Sequence, residues 1–237
     1  MTIYSFQFMN HRPEDFGNYI RTKTHNIGFP SRKKITAEVP FSNSNYDFSS
    51  IYGGQTYNER ELEFVINVFD PNHWDQVTMH RLKTELVNWL ESGNGKQPLI
   101  DEKLPGWHFL AEPEASLSLE DKYQSGELKV TFVAYPFMIR NKPEGNDVWD
   151  TFEFEYDVAQ YTSFKVNGSK VALLINSGIT ASYPEIIVDT DMKITIGNSE
   201  YSIKAGSSTG IELPVGENSV LVKGTGNISL VWHKEVI

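Results

Sequence analysis

Every second residue from Leu62 to Val68 is apolar. Leu62, Phe64, Ile66 and Val68 share one side of the stretch Glu59–Phe69, while Glu61, Glu63 and Asn67 share the other. That is the period of a half-buried β-strand, and it recurs along the chain. A helical period occurs once. In residues 72–91, Met79, Leu82, Leu86, Trp89 and Leu90 fall on one stripe. Asp70-Pro71 reads as its start, an N-cap followed by proline in the first turn. Ser92-Gly93-Asn94-Gly95 reads as its end. The fold class is therefore mainly β with one α-helix.

Further strands are expected at Trp107–Ala111, Ala115–Glu120 and Leu128–Tyr135, divided by Pro105-Gly106, Pro113 and Ser125-Gly126. The stretch from Pro136 into residue 147 holds two further prolines, glycine and mixed charge, and marks a domain boundary. We divide the chain into domains 1–140 and 141–237. The second shows short runs at roughly ten-residue spacing with turn residues between them, the pattern of an all-β sandwich. These runs include 164–176, 185–197, 201–206, 211–216, 219–224 and 228–233. The second domain opens on "DTFEFEYDV", residues 150–158. Phe152, Phe154 and Tyr156 are expected in the core. Glu153, Glu155 and Asp157 are expected on a wet strand face, where acids discourage edge pairing.

The chain has 237 residues, enough to bury a core without staples. It has no cysteine, which excludes disulfides, thiol catalysis and Cys-ligated zinc. A net charge of −10 opposes binding to a phosphate backbone, and the short Arg32-Lys33-Lys34 run reads as a solvated turn. No apolar run approaches the roughly 18 residues a membrane helix needs. The first eight residues alternate as a strand rather than as a signal peptide. We therefore expect no nucleic-acid binding, no membrane insertion, and folding in the cytosol.

No constellation points to catalysis. Gly206-Ser207-Ser208-Thr209-Gly210 matches the nucleophile elbow, but "IELPVG" follows where a helix is needed. His73 and His80 lie seven apart, not at the zincin spacing. Glu61 with Glu63, and Glu112 with Glu114, are carboxylate pairs with no cleft implied. We expect no enzyme activity, no catalytic residue, no metal site and no cofactor. Trp149, Tyr161, Tyr183 and Trp232, with Tyr201, are the rings that could stack on sugars if the second domain binds carbohydrate.

The order of parts carries a resemblance. N-terminal strands lead to "EVPFSNSNYDFSSIYGGQTYNERELEFVINV" (38–68), then one helix, strands closing at "TFVAYPFMIR" (131–140), and an all-β domain. This resembles the distal tail protein family of long-tailed siphophages, also labelled phage tail component. The matching positions are Pro40 after Val39, Tyr46-Asp47-Phe48-Ser49, Gly53-Gly54, Tyr57-Asn58-Glu59-Arg60, Tyr135-Pro136-Phe137, and Asn176, Gly178 and Pro184. Many members have glycine after the Val-Pro; Phe41 stands there in this chain, which implies a different local turn.

The resemblance implies an N-terminal β-sandwich with one helix, followed by a galectin-like C-terminal sandwich. It implies a non-enzymatic hub at the tail tip of a virion, assembled in the bacterial host cytoplasm. Six copies would form a homohexameric ring joining the tail tube protein to the tape-measure, hub or tail fibre protein below. The C-terminal domain would carry a receptor-binding protein or touch host glycan. The alternative is a carbohydrate-binding adhesion module working through that domain. An acidic balance suits a channel that passes DNA without holding it.

Overall fold

The structure is a computed structural model that describes residues 4–41, 43–49, 51, 54–69, 75–114, 118–122, 125–146 and 157–237. The fold is mainly β with one helix. It divides into two compact units, 1–138 and 139–236.

The first unit holds β1 (Phe6–Phe8), β2 (Arg21–Ile27), β3 (Thr36–Glu38), β4 (Asn45–Asp47), β5 (Arg60–Val68), helix α1 (Gln76–Glu91), β6 (Gln97–Asp101), β7 (Trp107–Pro113), β8 (Ser118–Lys122) and β9 (Ser125–Ala134). Its main sheet runs β1-β6-β7-β9-β5-β2, and β7 and β8 share one edge of β9. All these pairings are antiparallel. The sheet is strongly curled. β1 and β5 are four steps apart in the strand order, which would separate them by roughly 19 Å in a flat sheet. The rings of Phe6 and Phe64 nevertheless lie 4.3 Å apart. The two faces of the expected sandwich are thus two parts of one hydrogen-bonded sheet.

The alternation of β5 has the expected result: Leu62, Phe64, Ile66 and Val68 are fully buried. On the other face Glu63 pairs with Lys129 of the neighbouring strand at 2.9 Å. Leu82, Leu86, Trp89 and Leu90 of α1 close the core, and the Trp89 indole N–H donates to the carbonyl of Phe8 at 3.1 Å.

Two boundaries differ from the sequence reading. The helix begins at Gln76 and its N-cap is Asp75, not Asp70. The Asp75 carboxylate accepts from Thr78 N at 2.8 Å and Thr78 Oγ1 at 2.9 Å, a local cap that the Asp-Pro pair obscured. Asp70, Pro71 and His73 lie outside the described residues. Ser125-Gly126, read as a divider, is the first part of β9, where Gly126 pairs with Val68.

The second unit holds β10 (Met138–Arg140, from Ile139), β11 (Ser163–Asn176), β12 (Glu185–Val188), β13 (Met192–Ile196), β14 (Ser199–Ile203), β15 (Gly206–Ser208), β16 (Gly216–Val231) and β17 (Glu235–Val236). β16 organises it. One edge pairs with β11 along its whole length. The other edge is shared, β13 taking Val220–Lys223 and β12 taking Ile228–Val231. Between these segments stand Gly224 and Gly226, with φ of 149° and 150°, and opposite Gly224 stands Gly168 with φ of 82°. Both long strands turn a corner there. Lys170 Nζ lies 4.7 Å from the Phe164 ring centre, although a straight strand would hold residues six apart at roughly 20 Å. The two halves fold over one core of Val166, Ile186, Val188 and Ile228 with Leu174, Ile194, Val220 and Val222.

The second unit departs from the sequence expectations in three places. The runs 219–224 and 228–233 belong largely to one bent strand. Its glycines read as a turn, but they mark the corner. The run "IELPVG" is no strand; its Leu213 makes a single bridge to Ser182. Asp157 does not face water from a strand. It joins a buried ion cluster, accepting from Arg140 Nη2 at 2.8 Å and from Lys234 Nζ at 3.1 Å. Phe152, Glu153, Phe154, Glu155 and Tyr156 lie outside the described residues.

A candidate assembly surface

Arg60 is the first residue of β5 and shares the inward parity of Leu62 and Phe64. A guanidinium is therefore carried to the end of the core, where the residue is 2% exposed. Its Nε donates to the carbonyl of Gly28 at 2.8 Å and its Nη1 to that of Pro136 at 3.2 Å. The guanidinium carbon lies 5.0 Å from the Phe109 ring centre and 5.9 Å from that of Phe29. Carbonyl dipoles and ring faces stand in for a counter-ion, and burial lowers the Arg60 pKa to about 10. Gly28 is required here: an added Cβ would come within 2.6 Å of the Glu61 carbonyl oxygen, to which Gly28 N donates at 3.0 Å.

Tyr57 packs edge-on against Phe137 at 5.5 Å, and Tyr135 does the same from another side at 5.5 Å. Tyr57, Arg60, Tyr135, Pro136 and Phe137, quoted for the resemblance, therefore meet in one place. Pro40 stands apart and exposed, and Gly53 lies outside the described residues.

This cluster anchors the root of an arm. Beyond Gly28 the chain runs out and returns as an antiparallel pair: Asn58 N donates to Ser31 O, Lys33 N to Thr56 O and Phe48 N to Ile35 O, at 2.9, 2.9 and 2.8 Å. At its end β3 pairs with β4, and every residue of both strands is exposed. The arm nevertheless carries Phe29, Ile35, Phe41, Tyr46, Phe48 and Ile51 as exposed apolar side chains. Phe41, where the resemblance expects glycine, has φ of 62°, a conformation that glycine adopts freely. Sequence reading missed this surface. The available signal was a short alternation at strand period, Ile35, Ala37, Val39 and Phe41, then Tyr46 and Phe48, set among polar residues.

The catalytic candidates do not assemble. Gly206–Ser208 is β15, no helix follows it, and Ser207 Oγ donates to the Glu185 carboxylate. His233 Nδ1 is engaged by the carbonyl of Arg140 at 2.7 Å. Glu112 and Glu59 both pair with Lys96, raising the lysine pKa. Among the described residues no cluster of three metal-ligating side chains occurs.

The rings named for sugar stacking are also dispersed. Trp232 is 4% exposed within the core of the second unit and offers no face to a ligand. Tyr201 is partly buried against the same core. Trp149 lies outside the described residues. Tyr161 and Tyr183 are exposed, and the groove that Tyr161 lines does not include Tyr183.

No protein-family profile matches the chain, and no curated protein matches it by sequence. Solved structures do. The Dit protein (gp 19.1) of phage SPP1, described as a paradigm of the hub adsorption apparatus in phages infecting Gram-positive bacteria, aligns over 100% of both chains with a TM-score of 0.68 at 12% identity. The phage p2 baseplate in its activated conformation with Sr aligns over 98% of this chain and 96% of that one, with a TM-score of 0.39 at 10% identity. Along its whole length, this chain has the fold of the SPP1 Dit protein.

Proposed function

We propose that this protein is a structural hub of a phage tail tip or baseplate. In this reading, six copies form a ring that joins the tail tube to the host-recognition apparatus, and the second unit, galectin-like, carries the receptor-binding components. The role is structural rather than catalytic, and its place is the tail tip of the virion. The fold shared with a hub protein supports the reading. The observation that carries it is the β3–β4 ribbon. A two-stranded ribbon with no core beneath it is marginal in water, yet this one bears exposed Ile35, Tyr46 and Phe48. Burial against a second copy supplies the missing core.

Light scattering on the purified chain tests this. A species near six times 27.0 kDa is expected. A triple variant, Phe41→Ser with Tyr46→Ser and Phe48→Ser, is expected to keep its fold and run as a monomer. A wild-type chain that stays monomeric at every concentration and with tail-tube protein added, or a variant that still forms the ring, overturns the reading.

A further inference from the structure

Among the described residues β11 is an edge strand, paired with β16 alone. Leu230 N donates to the carbonyl of Thr162 at 2.9 Å, and this fixes the parity: even-numbered residues turn their peptide groups toward β16, odd-numbered ones away. Ile175 confirms it from the other side. Its N–H donates to Gln160 Oε1 at 2.9 Å and its carbonyl accepts from Gln160 Nε2 at 2.8 Å. A side-chain amide here occupies the place of a neighbouring strand's peptide unit. It serves one residue only. Among the described residues, the outward N–H and C=O groups of Ser169, Val171 and Leu173 have no partner.

The surroundings of this edge define a chemistry. Val171 and Leu173 are exposed. A groove of about 560 Å³ runs beside them, lined by Tyr161, Phe164, Lys170 and Ala172 among others. The strand from Ser163 to Asn176 contains Lys165 and Lys170 and no acid, in a chain of net charge −10. Neither lysine has an ion-pair partner among the described residues. Lysines on an edge deter pairing with like strands. A two-fold pairing of this edge with itself, centred on Val171, sets the two Lys170 side chains as diagonal neighbours on one face, roughly 7 Å apart. A copy of this chain is therefore a poor occupant, and an acidic strand a good one.

We propose that the Ser169–Leu173 edge of β11 docks an extended, acidic and apolar segment of a partner protein as an added β-strand. Main-chain bonds to Ser169, Val171 and Leu173 hold it. On one face its acids meet Lys170 beside the Tyr161 groove, and on the other its apolar side chains cover Val171 and Leu173. The inference rests on the second unit and not on the ring.

The test uses the full-length chain and synthetic nine-residue peptides of alternating valine and glutamate. The glutamate peptide is expected to bind roughly tenfold or more tightly than its lysine twin. It should also slow amide exchange at Ser169, Val171 and Leu173. Methylating two adjacent central amide nitrogens of the peptide blocks both of its edges and should weaken binding roughly tenfold or more. Val171→Pro, which removes one outward N–H and no bond to β16, should do the same. Because the methylated peptide leaves the protein untouched, the test survives misfolding of that variant. Equal binding of the lysine peptide, undiminished binding of the methylated one, or no protection at the three amides overturns the proposal. So does a dimer of the chain that Val171→Pro dissolves, which would make a second copy the occupant.

Discussion

Nη1 of Arg60 reaches the carbonyl oxygen of Pro136 at 3.2 Å, joining residues 76 positions apart. Nε of the same side chain holds Gly28, so one guanidinium fastens the root of the arm to the end of the sheet. Lysine keeps the charge but has no planar fork with which to reach both carbonyls. Arg60→Lys is expected to lower the stability of the first unit by about 2 kcal/mol. Chemical denaturation followed at unit-1 amides by exchange reads this directly. An unchanged midpoint would show that the two carbonyls find other donors.

Trp89 combines two roles, filling the core between Phe6 and Phe16 and donating to the Phe8 carbonyl. Trp89→Phe keeps a ring but removes one of the two donors to that oxygen, His11 N at 3.0 Å being the other, and leaves a space where the indole's second ring stood. The expected loss is about 1–3 kcal/mol in urea denaturation. It should exceed the loss from Leu82→Met, a volume-conserving change on the same helix face.

Glycines of the second unit should divide sharply on substitution. A Cβ at Gly226 would collide with Asp189 Oδ1 and come within 2.7 Å of Thr190 Oγ1, at a φ of 150°. At Gly197 it would meet nothing, at a φ of 57°. Gly226→Ala is expected to cost about 3 kcal/mol or more, and Gly197→Ala about 1 kcal/mol, in scanning calorimetry. Equal costs would show that the corner relaxes.

Burial raises the Glu144 carboxyl above its ordinary 4.5, against the weaker downward pull of the bond from Gln160 and the charge of Lys234. The folded protein therefore holds this proton more tightly than the unfolded chain. The ionised group's cost in stability is absent below about pH 4.5, grows as pH rises above it and is complete once pH exceeds the folded pKa. Glu144→Gln is expected to be the more stable protein at about pH 8 and level with wild type at about pH 4. A variant less stable at the higher pH would mean that Arg140 and Lys234 depend on the carboxylate charge.

Much of the fold was legible where burial follows a simple period. The alternation of β5 and the stripe of α1 each report one dry face, and both are where the sequence reading put them. What was not legible depends on distant pairing. Gly224 and Gly226 look the same in sequence whether they end two strands or bend one, and only their shared partner β11 decides. Asp157 reads as a wet strand acid until Arg140 and Lys234 arrive beside it. The arm was hidden for a different reason: Ile35, Ala37, Val39 and Phe41 alternate, but β3 and β4 are three residues each and fully exposed, so the alternation reports no dry face among the described residues. The Arg60 cluster became visible as a set only through the resemblance, because its members are scattered from Tyr57 to Phe137.

The long β16 also sets an order of events. β11, β12 and β13 each pair with it. Before β16 leaves the ribosome, the pairs available among the described residues are the local β12–β15 and β13–β14, and pairs of strands are weak alone. The second unit therefore has no half-built stage to rest in. Its folding waits for residues 216–231 and then proceeds through long-range closure, which places it among slow, high-contact-order folders.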